Sequence, residues 1–200
     1  MKKALSICAV LLIACILLSG CRWFKNWKEK YIIDARNGII LYGNEKQIQE
    51  SINKHRNKLV YSKIYKIKMI AFHRKKIMVI NENTAKALKD RGLIKSINKR
   101  GKVDMDETNQ EMNVRKGWLY GKNKFHRLMI NGKNISIEYG GNKVIGSART
   151  YADLFLIVDQ TEWNAIKGKE KVLGVLEFKK RPYKSMNQYN AEHGQLVKII

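Results

Sequence analysis

Apolar and polar positions along the chain fall into short blocks of contrasting period. Ala35 to Tyr42 opens with an Asn37-Gly38 turn signal and continues as the apolar run Ile39-Ile40-Leu41-Tyr42, which predicts a short strand. Asn44 to Asn57 predicts a helix. Asn44 stands as its cap, Gln47 at the reciprocal capping-box position, and Ile48 and Ile52 lie one turn apart. Lys66 to Phe72 alternates Ile67, Met69 and Ala71 against Lys66, Lys68 and Ile70. With Lys76 to Ile80 it predicts a hairpin whose basic tip is His73-Arg74-Lys75. Asn83 to Arg91 predicts a second helix, capped by Asn83 and stopped by Gly92, with Leu93 folding back toward Leu88.

Leu93 to Asn113 is polar and reads as a long loop carrying the acidic group Asp104, Asp106 and Glu107. The strongest local pattern follows. Arg127 to Ile130 and Lys133 to Tyr139 are alternating runs joined by Asn131-Gly132, the signature of a tight hairpin. Tyr151 to Val158 and Lys171 to Phe178 are apolar on both faces, as strands inside a covered sheet are. Between them Asp159 caps a short helix containing Glu162, Trp163 and Ile166, with Gly168 as its stop, and Gln195 to Ile200 reads as a closing strand. The sum is an α+β fold in one domain over residues 31–200. It has six to eight strands in a mixed or mainly antiparallel sheet and about three short helices.

The first thirty residues follow a different logic. Met1-Lys2-Lys3 precedes Ala4 to Leu18, an apolar run interrupted only by Ser6 and shorter than the roughly 20 residues needed to cross a bilayer. A basic start, an apolar middle and a small-residue exit describe a signal peptide over residues 1–20. Its exit, Leu18-Ser19-Gly20-Cys21, resembles the lipobox of bacterial lipoproteins. The resemblance implies cleavage before Cys21, a diacylglycerol on its thiol and an acyl chain such as palmitate on the freed amine. Two or more chains anchor stably where one holds only marginally. Arg22 at the next position resembles the pattern sent to the outer membrane in Gram-negative hosts, facing the periplasm; in a Gram-positive host that sorting does not apply. Residues 21–30 then form a tether in which Arg22, Trp23, Phe24, Lys25, Trp27 and Lys28 suit a membrane interface. All three cysteines lie within residues 1–21, so the remaining chain has neither disulfide nor free thiol.

The whole chain carries a net charge of +23, with thirty Lys against ten Arg. That excess favours acidic partners. Its Lys bias, alongside abundant Asn and Ile, is also what an AT-rich coding sequence produces, and Arg rather than Lys is the residue suited to forked phosphate recognition. Nucleic acid is therefore not expected as a partner.

Candidate chemistry is sparse. His55, His73, His126 and His193 have no ligand spacing, and no metal or other cofactor is expected beyond the lipid on Cys21. His55 falls on the outer side of the first predicted helix. Ile145-Gly146-Ser147-Ala148-Arg149 lacks the second glycine of a nucleophile elbow, and Gly140-Gly141-Asn142-Lys143 is a turn rather than a phosphate loop. Asp104, Asp106 and Glu107 form either a solvated acidic patch or a cation site without the geometry of an EF-hand. Asp153 and Asp159 are a candidate acid/base pair, although Asp159 already caps a helix. No catalytic residues are assigned, and the expectation is a protein that is not an enzyme. Trp118, Tyr120, Lys122, Lys124 and Phe125 lie in a glycine-bounded basic segment that suits either partner binding or core packing.

In general type the chain is similar to lipidated immunity proteins that neutralise lipase-like or other envelope-attacking effectors of contact-dependent systems such as type VI secretion. That resemblance implies a membrane-anchored binding lipoprotein with an acidic cognate toxin as partner. The alternative is an envelope structural or assembly lipoprotein binding lipopolysaccharide, anionic lipid or peptidoglycan.

Overall fold

A computed structural model describes residues 36–105, 117–182 and 186–200. The signal segment, Cys21, the tether, Asp106 and Glu107 lie outside the described residues. In chain order the elements are β1 (Gly38–Gly43), α1 (Glu45–His55), β2 (Leu59–Phe72), β3 (Lys75–Asn81), α2 (Glu82–Asp90), β4 (Ile94–Ile97) and β5 (Val103–Met105). There follow β6 (Gly117–Tyr120), β7 (Arg127–Ile130), β8 (Lys133–Gly141), β9 (Lys143–Ile145), β10 (Leu154–Val158), α3 (Gln160–Ala165), β11 (Lys169–Phe178) and β12 (His193–Val197). Nine strands make one mixed sheet in the order β12-β1-β11-β2-β3-β10-β6-β8-β7, and β5-β4-β9 make a small second sheet. Only the β3/β10 and β6/β8 pairs of the large sheet are parallel. The architecture is thus α+β, sheet-rich, mixed and mainly antiparallel, with three short helices, as the sequence predicts.

Local signals account for several element ends. Asn44 accepts from the Gln47 amide at 2.9 Å and the Gln47 side chain accepts from the Asn44 amide at 3.1 Å, closing the capping box of α1. At the end of α2, Leu93 N–H donates to Leu88 C=O at 2.9 Å and Gly92 N–H to Lys89 C=O at 2.8 Å, with Gly92 at φ 63°. This is the paired Schellman bonding that requires a left-handed residue. Asn131 and Gly132 have φ of 52° and 77°, as the two-residue β7–β8 turn demands.

Several expectations are corrected. The cap of α2 is Asn81, which accepts from the Thr84 amide at 2.8 Å; Asn83 lies inside the helix. Two asparagines stood one turn-start apart, and the one that ends a strand with extended backbone is the one used. The polar stretch after Leu93 is not simply loop, because Ile94–Ile97 and Val103–Met105 pair as β4 and β5, covering the large sheet. Asn37-Gly38 makes no turn. Gly38 begins β1, while the Asn37 side chain accepts from the Ile199 amide at 2.8 Å and donates to the Ile199 carbonyl at 3.2 Å. His55 faces inward, packed between Phe178 and Tyr189. β2 begins at Leu59, well before Lys66, and β12 spans His193–Val197 rather than reaching Ile200.

Both faces of the central strands of the large sheet are covered, while β7 and β8 leave alternate residues exposed. On one, Ile40, Tyr42, Ile67, Met78, Ile80, Phe155 and Leu173 pack beneath α2 and the small sheet. On the other, Ile39, Leu41, Val172 and Leu176 lie under Ile48 and Ile52 of α1. Gly174 makes that seat possible, since any Cβ there would collide with the Ile48 side chain. Farther along the same face, Ile77, Val79, Leu119, Leu154 and Leu156 meet the β7–β8 hairpin and Trp163 of α3. Residues Asn37–Ile200 form a compact unit by themselves.

Lys68 is buried within that second region, opposite Val79 of β3. Its ammonium donates to the carbonyls of Trp163 and Ile166 at 2.7 and 2.8 Å and sits 4.2 Å from the Trp163 ring. It therefore serves the last carbonyls of α3, where the helix dipole is negative. Lys68→Met leaves both carbonyls without that donor and is expected to cost about 1–3 kcal/mol in urea denaturation, whereas Lys66→Met, on an exposed neighbour, shifts stability by less than about 0.5 kcal/mol.

Candidate functional site

The structure divides the aromatic segment nominated by sequence. Trp118 and Tyr120 belong to β6 and are core residues, each 3% exposed. Gly117 and Gly121 bound a buried strand, not a surface loop. Lys122 and Lys124 are exposed, and Phe125 is half-buried, edge-on to Phe72 at 6.0 Å with the Lys75 ammonium 5.2 Å from its ring. The two tryptophan-strand rings and the two lysines therefore do not form one contiguous surface.

The carboxylates and the serine considered for catalysis have structural partners. Asp153 accepts from the Lys76 amide at 2.8 Å, fastening the start of β10 to β3. Asp159 accepts from the Glu162 amide at 2.7 Å as the cap of α3. They stand at opposite ends of β10, about 20 Å apart by strand rise, so they are not an acid/base pair. The Ser147 hydroxyl donates to the Gln195 side-chain oxygen at 3.1 Å, and that oxygen also accepts from the Ser147 and Ala148 amides. Asp104 accepts from Asn98 at 2.8 Å and lies 3.5 Å from the Lys102 ammonium. Among the described residues no group of His, Cys, Asp or Glu is arranged to hold a metal ion, and no helix is long and apolar enough to cross a membrane.

A titratable cluster that sequence spacing did not reveal gathers at the β12 edge. Tyr42 stacks on Tyr151 at 4.4 Å, and His193 lies parallel to Tyr151 at 5.9 Å. The Tyr151 hydroxyl donates to one Glu192 oxygen at 3.1 Å, and the Lys171 ammonium donates to the other. Thr150 and His193 are hydrogen-bonded at 2.6 Å. The hydrogen bond from Lys171 is the main cause holding the Glu192 carboxyl below its usual range, with that from Tyr151 adding to it. Burial pushes the Tyr42 and Tyr151 hydroxyls up and the His193 imidazole down. Tyr42 lies over a hundred residues before the other members, which are themselves spread from Thr150 to His193, and this is why no motif announces them. Their arrangement fastens the connection after β9 to the edge strands.

A second feature follows from strand lengths. β11 pairs with β2 from Leu59 to Met69, but β3 reaches only from Lys68 to Phe72. The half of β2 before Lys68 thus has a ladder partner on one side only, among the described residues. Val60 is 57% exposed there, and Lys63 and Lys66 project into solvent. A groove of about 440 Å³ runs alongside, between Gln49, Asn53 and Arg56 and the segment Leu59 to Ser62.

The Glu192 pair gives a pH signature. A carboxyl lowered by folding contributes stability that is full above its unfolded value of 4.5 and is lost as pH falls through the lower folded value. Glu192 is 37% exposed, so the contribution is below about 1 kcal/mol. Wild type is expected to exceed Glu192→Gln in urea stability at about pH 7, with the gap closing toward about pH 3.

No curated relative matches the chain. The solved structure of a Bacillus anthracis chain assigned to the lipoproteins, determined by crystallography at 1.5 Å, matches with a TM-score of 0.70. The two are 23% identical, and the match covers 82% of this chain and 99% of that one, a likeness of fold. Residues 36–200 match the model of an uncharacterised lipoprotein family, and the chain belongs to that family.

Proposed function

We propose that this chain is a lipid-anchored binding protein of the cell envelope, not an enzyme, and that it holds an acidic protein partner along the open half of β2. The observation that carries the reading is the one-sided pairing of Leu59 to Ile67 beside a groove, with Arg56 lining the groove and Lys63 and Lys66 exposed along the strand. An open edge offers main-chain donors and acceptors to an extended segment, while alternate side chains supply selectivity. Surrounding cations favour carboxylates in that segment and speed the encounter.

Acylation at Cys21 would keep this edge at a membrane surface. The specific role we infer is immunity: occlusion of a secreted, envelope-attacking toxin, at the outer membrane facing the periplasm where the host is Gram-negative. The family supports the lipoprotein character on which this reading builds.

Lys63 and Lys66 are exposed, so charge reversal at both leaves the fold largely intact. Calorimetric titration of the neighbouring gene's product is expected to find binding to the wild-type domain and about tenfold or weaker affinity for the Lys63→Glu, Lys66→Glu variant. Deleting the gene is expected to sensitise cells in competition with siblings carrying the toxin; unchanged survival rejects the immunity role.

A further inference from the structure

A separate basic site lies where the chain joins the domain. Asn37 C=O accepts from the Phe178 amide at 2.8 Å, so the backbone arriving from residue 36 meets the end of β11. The Lys179 amide in turn donates to Lys58 C=O at 2.9 Å, bringing the start of β2 to the same place. Around this junction a cavity of about 360 Å³ is lined by Lys58, Lys179, Lys180 and Arg181 together with Phe178 and Pro182. The four cations are exposed, while Phe178 and Pro182 are buried. Glu177, next in sequence, is ion-paired with Arg91 at 3.1 Å and hydrogen-bonded by Asn37, so its charge is already countered.

We propose that this junction is a second membrane contact, which receives the phosphates of anionic phospholipids in the leaflet that holds the Cys21 lipid. Four cations above an apolar floor match a headgroup phosphate over its glycerol and acyl attachment. About 15 residues separate Cys21 from Asn37, a reach of at most about 58 Å, and Asn37 is the domain's point of attachment. Anchoring therefore concentrates this end of the domain at the bilayer, and weak individual contacts there become effective. Each cation at an anionic surface strengthens association about fivefold. The contact orients the domain, which free rotation about a tether would not. It rests on the lipoprotein reading and is independent of any protein partner.

The test uses residues 36–200 without the anchor, the span of the family match, which contains the compact unit Asn37–Ile200. This domain is expected to sediment with vesicles of phosphatidylglycerol and phosphatidylcholine in equal parts, to be released by salt, and to ignore pure phosphatidylcholine. Lys58→Gln, Lys179→Gln, Lys180→Gln and Arg181→Gln together are expected to weaken association about tenfold or more. The same change at Lys122, Lys124, Lys133 and Lys167, exposed near the β7–β8 end, removes equal charge and is expected to alter it less than about twofold. If the fourfold variant misfolds by circular dichroism, Lys179→Gln with Lys180→Gln, both exposed, replaces it with an expected loss of about fivefold or more. No association with anionic vesicles, or equal losses from both sets of substitutions, overturns the proposal. Detergent partitioning of the full chain and its Cys21→Ser variant reports separately on the anchor.

Discussion

Pairing along β2 is the constraint from which the other arrangements follow. Ten residues of β11 register on its first part, five residues of β3 on its last, and the two overlap only around Lys68 and Met69. Within the sheet's ladder, the β12-β1-β11 block with α1 and the β3-β10-β6-β8-β7 block with α3 are joined through this one strand. At the overlap, Lys68 reaches out of the ladder to the end of α3, so backbone and side chain of the same residue tie the two regions. The length mismatch that permits this also leaves half of β2 paired on one side. Connection and exposure are two results of one offset.

Much of the fold was legible because its signals are local. The Asn44–Gln47 box, the Gly92–Leu93 stop, the Asn131-Gly132 hairpin and the Asp159 cap each depend on residues within a turn of one another, and each forms where its spacing predicts. Where two readings were locally equivalent, the distant chain decided. Asn37-Gly38 could have turned, but Ile199 occupies the side-chain nitrogen and oxygen of Asn37 while β11 and β12 pair with Gly38. The segment after Leu93 is too polar to resemble a buried strand, yet β4 lies between β5 and β9, distant partners that its own pattern does not announce.

The candidate site was less legible, for a physical reason. An open edge is a relation between the lengths of three strands and leaves no residue pattern of its own. Tyr42, Tyr151, Lys171 and Glu192 likewise meet only after β1, β11 and β12 pair. Composition did announce the basic surface, but not that Lys58 and Lys179 to Arg181 converge where the chain enters. The Trp118 segment misled because glycines beside aromatics mark an exposed loop and a tightly covered strand equally well; contact of Gly140 with the Trp118 and Tyr120 rings belongs to the second.

The Asn37–Ile199 clasp has a mechanical consequence. A domain held by its N-terminus while gripping something else carries load, and tension along the backbone from residue 36 arrives first at β1. That strand is not on the rim: six residues register on β11 and five on β12. Force directed along it must slide both ladders at once instead of peeling them bond by bond, and the clasp keeps the far end of the chain fastened to the same point. The place where the chain enters is held by two ladders and a clasp at once.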